Sequence, residues 1–234
     1  MHIFYVPNID NEFCCLSEEE SKHCVKVLRL SKGDNVVLID GIGGYYEAEI
    51  FEPHPKHCQL KIIQKTNDYG KREYSIHIAI APTKNIDRIE WFIEKAVEIG
   101  VDELTPIICQ HSERKNINID RLEKIILSAM KQSMKAYKPR LNNAITFSEF
   151  IKKEHNGCKF IAHCSDTEKI SLKSAVTTEN HYTILIGPEG DFSPEEINMA
   201  MNNNFKCVHL GPSRLRTETA GVVACHTINL LKQN

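Results

Sequence analysis

The chain lacks the usual markers of several large protein classes. No apolar run approaches the ~20 residues that a membrane helix needs. The opening MHIFYVPNID has no basic stretch followed by an apolar one. Neither a membrane span nor a secretory leader is therefore expected, and the expected location is the cytoplasm. The nine cysteines include no C-x-x-C pair and the eleven histidines no H-E-x-x-H. That disfavours a zinc ribbon, a thioredoxin-type centre and a zinc protease site, so no metal is expected. Reduced, mostly buried thiols are the expectation. A phosphate-cradling P-loop is absent. The nearest approach to G-x-G-x-x-G, at Gly41-Ile42-Gly43, has Tyr46 in its last position. A dinucleotide dehydrogenase is thus disfavoured.

Charge of one sign is scarce overall, with a net value of −2 over 234 residues, but its distribution is uneven. Residues 1–70 hold 7 basic and 11 acidic side chains, whereas residues 114–140 hold 8 basic and 2 acidic. A local basic patch suits contact with a phosphate backbone.

Two organisational regimes follow one another. Up to residue 70 the pattern is of short strands, Val36–Ile39, Tyr45–Ile50 and Gln59–Gln64, with a glycine-rich hairpin at 40–44. One helix, Ser17–Leu30, is expected, with Ser17 as N-cap and Glu20 at the capping-box position. This reads as a small β-barrel. After the polar linker at 67–72, strands and helices alternate, which argues for an α/β unit on a mostly parallel sheet. The expected strands are Ser75–Ala81, Leu104–Cys109, Lys159–His163, Tyr182–Ile186 and Lys206–Leu210. The expected helices are Ile86–Ile99, closed by Gly100, then Asp120–Tyr137, Pro194–Asn203 and Glu218–Lys232. The domains are accordingly 1–70 and 73–234.

In Asp120–Tyr137 the apolar side chains from Leu122 to Tyr137 recur at helical spacing, while Lys124, Lys131, Lys135 and Lys138 fall within about 60° of one another on the other face. Lys131 and Lys135, with Arg140 just beyond, are candidate RNA contacts, as are Lys84 and Arg88 at the start of the preceding helix. Trp91, Phe92 and Ile93 read as core.

The sharpest signals lie near the end. The apolar strand Tyr182–Ile186 runs into Gly187-Pro188-Glu189-Gly190, then Ser193-Pro194-Glu195-Glu196, an N-cap with proline at N1 and a capping-box glutamate. The design recurs at Val208-His209-Leu210-Gly211-Pro212, before the polar loop 213–217 and the last helix. Ligands of open α/β sheets sit beyond the carboxyl ends of strands, so two such turns imply one pocket. Backbone groups in apolar turns suit a nucleoside. His163, at the end of its strand, is placed at the border of that pocket.

ILIGPEGDFSPEEI at 184–197 and LGPSRLRTETA at 210–220 resemble the two cofactor motifs of the RsmE family in the SPOUT superfamily. HCVKVLR at 23–29, containing Arg29, and the segments 88–90 and 94–100 extend the resemblance across nearly the whole chain. Two departures stand out: Asp191 occupies a position where the family motif reads glycine, and the Gln132-Ser133 segment lacks its acidic, Gly-Arg character. The resemblance implies an α+β protein with two domains, a PUA-like β-barrel that binds RNA and a SPOUT domain with a deep trefoil knot. It implies a homodimer that uses S-adenosylmethionine to methylate N3 of a uridine in 16S ribosomal RNA of the small subunit. Another base, a ribose 2′-OH, or a non-catalytic role in ribosome assembly are the alternatives.

On that reading the cofactor residues are His163, Ile186, Gly187, Pro188, Glu189, Gly190, Leu210, Gly211, Leu215, Thr217 and Thr219. The candidate RNA contacts are Arg29, Lys84, Arg88, Lys131, Lys135 and Arg140. Uracil N3 must lose a proton, so a base or a cation is needed. The candidates are Arg216, Glu218, Arg214 and Glu189. Thr217 also reads as an N-cap, and Glu218 as an acid favoured in the first turn of a helix.

Overall fold

The structure, a computed structural model, describes residues 2–233. It divides into two compact units: residues 1–71 with 127–138, and residues 72–126 with 139–234. The expected single cut near residue 70 therefore omits one segment, since 127–138 groups with the N-terminal unit.

In the first unit five strands form one sheet. They are β1 (Ile3–Tyr5), β2 (Phe13–Cys15), β3 (Asn35–Ile39), β4 (Tyr45–Glu52) and β5 (Gln59–Thr66), in the order β1-β3-β4-β5-β2. Among the described residues β1 and β2 do not pair with each other, so the sheet is not closed by hydrogen bonds as a complete barrel would be. Its core is built from Phe4, Leu16, Cys24, Val36, Leu38, Tyr46, Ala48, Ile50, Cys58 and Leu60. The expected helix at Ser17–Leu30 is shorter. Only α1 (Glu18–Lys22) is regular, and His23–Val27 widens so that Leu28 N–H reaches His23 O. Arg29, at φ 58°, then leaves the helix. Ser17 caps it as expected, accepting from Glu20 N, but the Glu20 carboxylate turns to Lys131 Nζ at 2.6 Å.

The glycines of the hairpin at 40–44 have a concrete job. Asp40 Oδ1 accepts from Ile42 N and Gly44 N, and Gly43 sits at φ 104°. A Cβ on Gly43 would lie 2.4 Å from the Tyr137 ring, so only glycine lets that ring in. Tyr137 is thus not helical. It bridges to Gly41 and Ile42, and its hydroxyl donates to Asp68 Oδ1.

The second unit carries an eight-stranded sheet. Its strands are β6 (Ser75–Ile80), β7 (Glu103–Ile108), β8 (Arg140–Leu141), β9 (Ile145–Thr146), β10 (Cys158–Ala162), β11 (Ile170–Ser171), β12 (His181–Ile186) and β13 (Lys206–His209). The order is β11-β13-β10-β12-β6-β7-β8, with β9 also on β7, and every pairing is parallel. The helices are α2 (Ile86–Ile99), α3 (Ile119–Ser133), whose residues from 127 on group with the first unit, α4 (Phe147–Ile151), α5 (Leu172–Ala175), α6 (Pro194–Asn202) and α7 (Thr217–Lys232). Asn85 caps α2, and Gly100 closes it at φ 117°. Helix α2 buries Ile89, Phe92, Ile93, Ala96 and Val97, a stripe at i, i+3, i+4, i+7 and i+8. Trp91 falls off that stripe and is 44% exposed, so it is not core.

Helix α3 ends at Ser133, four residues early. Ser133 Oγ donates back to Ala129 O, Met134 takes φ 54°, and Lys135 N–H bonds Met130 O, a Schellman-type closure. Periodicity alone cannot see such a stop when the left-handed residue is methionine.

Candidate active site

The strand order makes β13, β10 and β12 neighbours, so the three turns leaving their carboxyl ends are neighbours as well. A cavity of about 600 Å3 lies there, lined by residues 162–164, Lys169, 186–189, Asp191, 208–217 and Ala220. This is the crevice position expected for a ligand on an open α/β sheet. His163, Ile186, Gly187, Pro188, Glu189, Leu210, Gly211, Leu215 and Thr217 line it, as do Arg214 and Arg216. Gly190, Thr219 and Glu218 are not part of its lining.

Two of the three displaced residues have a physical reason. Gly190 packs on the loop before α3: its would-be Cβ meets His111 Cβ at 3.0 Å, and its carbonyl and that of Asp191 accept from His111 Nδ1. Because both partners are carbonyls, Nδ1 carries the proton. Glu218 lies in the first turn of α7, its side chain 9% exposed, 3.9 Å from Arg88 Nε. Its Oε2 has no hydrogen-bond partner among the described residues.

The turns are tied together by side chains. Thr217 is not the N-cap; Arg216 is, without a side-chain cap bond. The buried Thr217 hydroxyl instead donates to Gly187 O at 3.0 Å, linking the α7 start to the β12 turn. Glu189 Oε1 accepts from Lys84 N at 2.9 Å. That carboxylate therefore anchors the loop between β6 and α2, where Arg114 also donates to the carbonyls of Thr83 and Lys84. Asp191 Oδ2 accepts from Cys164 N at 2.7 Å. Lys169 Nζ donates to the carbonyls of His163 and Ser165. Sequence reasoning missed Lys169, and its place six residues beyond a strand end carries no signal of its role.

Charge in the cavity is unevenly committed. Arg214 and Arg216 are exposed and form no ion pair among the described residues. The ring of His163 is buried, and desolvation followed by the Lys169 charge holds its pKa below the usual histidine value. It is thus mainly neutral at neutral pH, with Nδ1 on Ser165 Oγ. Lined by Ile186, Val208, Leu210 and Leu215 and by glycine turns, the cavity matches an apolar purine-like group held by backbone atoms. At Gly211, φ is 135°, and a Cβ would meet nothing within 4 Å, so the backbone there faces open space. Among the described residues no group of three His, Cys, Asp or Glu side chains is placed to hold a metal, and no helix is long and apolar enough to cross a membrane.

The expected RNA contacts are divided. Lys84 pairs with Glu113 at 2.8 Å, Arg88 with Glu218, and Lys131 with Glu20. Arg29 and Arg140 are exposed and form no ion pair among the described residues. Arg140 borders a second cavity of about 350 Å3 at the amino ends of the strands, with His77, Glu103 and Lys153.

Residues 71–229 match the family model of an RNA methyltransferase domain, and residues 16–63 match that of an RNA methyltransferase PUA domain. The chain belongs to the RNA methyltransferase family. A crystal structure described as a probable rRNA-methyltransferase from Porphyromonas gingivalis is 40% identical, superposes with a TM-score of 0.92, and is matched over 100% of this chain and 99% of that one. A ribosomal RNA small subunit methyltransferase E from Neisseria gonorrhoeae, solved bound to S-adenosyl methionine, is 26% identical, with a TM-score of 0.88 over 99% and 98%. The Rickettsia conorii protein of the same name is 29% identical over 92% of this chain and 89% of its own length. Family membership and the two-domain α+β architecture thus agree with the sequence expectation.

Proposed function

We propose that this chain is an S-adenosylmethionine-dependent methyltransferase acting on N3 of a uridine in 16S ribosomal RNA, working in the cytoplasm as a homodimer. One observation carries the reading: a nucleoside-sized cavity at the carboxyl ends of three adjacent parallel strands has two uncommitted arginines on its wall. The trefoil knot and the dimer belong to the same proposal, through the resemblance of the two glycine-turn motifs.

The residues present suit the cofactor. Backbone groups at 186–189 and 210–215 would hold its adenosine, between Ile186, Leu210 and Leu215. Bound there, S-adenosylmethionine supplies a methyl group on a sulfonium. The turns' part is placement, since in-line attack is governed by geometry. Arg216 and Arg214 are assigned to the RNA: a guanidinium fork stabilises the uracil anion as the N3 proton leaves to solvent water, or grips the adjoining phosphate. Glu218 is assigned a supporting role, holding Arg88 beside the start of α7 rather than meeting substrate. Arg29, Lys131, Lys135 and Arg140 are assigned to phosphates. The exposed ion pair of Lys84 contributes little on its own and leaves that lysine recruitable, whereas the Lys131–Glu20 pair is half-buried.

Reversing charge at Lys131 and Lys135 together should flatten the salt dependence of RNA binding by about two ions. An unchanged slope would remove those two lysines from the interface. The overall test mixes pure protein with labelled S-adenosylmethionine and small ribosomal subunits lacking the modification. Label recovered as N3-methyluridine supports the reading. RNA that stays unlabelled despite cofactor uptake sinks the substrate claim, and label on ribose or another base corrects the position.

A further inference from the structure

We propose that Asp191 is a positioning residue for the cofactor cavity: its carboxylate latches the turn after β10 to the turn after β12 and so sets the cavity's width. The inference rests on the reading of that cavity as the cofactor site.

Three observations converge. First, Asp191 has φ 63°, a left-handed conformation that glycine adopts freely and that aspartate tolerates better than most other residues. Conformation alone would favour glycine, so the side chain has to justify its presence. Second, both carboxylate oxygens are used. Oδ1 accepts from Phe192 N at 2.9 Å, inside its own turn, and Oδ2 accepts from Cys164 N at 2.7 Å, across to the neighbouring one. The second is a short charge-assisted bond, stronger than a neutral one. Third, Asp191, His163 and Cys164 all line the cavity, so the latch spans its wall.

The turn after β10 has little else to hold it. Cys164 is exposed, and Lys169 fastens this loop only to itself, at the carbonyls of His163 and Ser165. The turn after β12, by contrast, is fixed from three sides, by Thr217 on Gly187 O, by Lys84 N on Glu189, and by His111 on the carbonyls of Gly190 and Asp191. Asp191 therefore transfers the rigidity of the well-held turn to the poorly held one. Without the bond, the 163–165 wall is free to drift and the cofactor must order it on binding, a cost that appears as lost affinity.

The test compares Asp191→Gly with Asp191→Asn. Glycine keeps the backbone conformation and removes both acceptors. Asparagine keeps an acceptor and tolerates the same φ, but drops the charge. Calorimetry with S-adenosylmethionine should show the glycine variant binding at least tenfold more weakly and the asparagine variant within about threefold of the parent. The amide of Cys164 should exchange with solvent faster in the glycine variant without any cofactor present. At saturating cofactor the glycine variant's kcat should stay near the parent's, while its KM for cofactor rises. Parental affinity in the glycine variant, or an unaltered Cys164 exchange rate, would overturn the latch. So would an asparagine variant weaker than the glycine one, because an acceptor kept across the two turns would then bring nothing. A parent protein that takes up no cofactor at all would overturn the reading of the cavity as well.

Discussion

The two ends of one parallel sheet carry two cavities, and they differ in how their polar groups are spent. At the amino ends, His77 Nε2 meets Thr105 Oγ1 at 2.7 Å, Asn142 donates to both Glu103 and Thr105, and Ser75 Oγ meets His181 Nδ1. These side chains satisfy one another, whereas Arg140 and Lys153 on the same cavity are exposed and form no ion pair among the described residues. At the carboxyl ends the ties run between turns and leave two arginines and a run of backbone groups facing the space. Free cations therefore stand at both ends; what sets the carboxyl end apart is its glycine turns, whose backbone groups face the cavity.

The largest effect should come from the carboxyl end. Arg216→Ala should keep cofactor affinity and lower turnover by about 10²–10³-fold, the usual cost of removing one donor to a developing anion. Turnover at the parental level would take Arg216 out of the chemistry.

The amino-end network should speak through pH instead. Burial pushes the His77 imidazolium down to about 4, with nearby Glu103 opposing the shift and His155, Arg140 and Lys153 adding to it. The folded state thus refuses a proton that the unfolded chain accepts near 6.5. This stabilisation is whole above that value and is lost as pH falls from about 6.5 towards 4, on the order of 3 kcal/mol in all. Denaturant titrations across this range should show the fall, and His77→Gln should flatten it. A parent whose stability is level over those pH values would contradict the network.

A smaller change is expected at Thr217. Thr217→Val removes one buried hydrogen bond to Gly187 O, worth about 1 kcal/mol. Cofactor affinity should fall by about fivefold, read by calorimetry; a full-strength valine variant would show that the tie is dispensable. The smallest effect sharpens the contrast from the other side. Lys153→Ala, at the amino-end cavity, should leave the cofactor dissociation constant unchanged within error. A tenfold loss there would place the wrong cavity at the centre of this account.

How much of this was legible in the residues differs element by element. The turns at Gly187 and Gly211 were, because glycine after an apolar strand announces a close backbone approach. The cap at Ser193 was also legible, with Glu196 completing a capping box as expected. The latches were not: Thr217 bonds a residue 30 positions away and Asp191 one 27 away. No local pattern encodes such a pairing, and Thr217 fits the cap position equally well on paper. Glu218 looked like a cavity carboxylate because its neighbours Arg216 and Thr217 face the cavity, but each step along α7 turns the chain by about 100°, which carries it towards Arg88 instead. The stop of α3 at Ser133 was hidden because Met134 adopts a conformation that composition assigns to glycine or asparagine.

The most direct test of the central claim is a crystal structure of the protein with S-adenosylhomocysteine. The account predicts the adenosine between the turns at 186–189 and 210–215, with Arg216 on the open side. Electron density for the ligand in the cavity of His77 and Arg140, or its absence from both at saturating ligand, would contradict it.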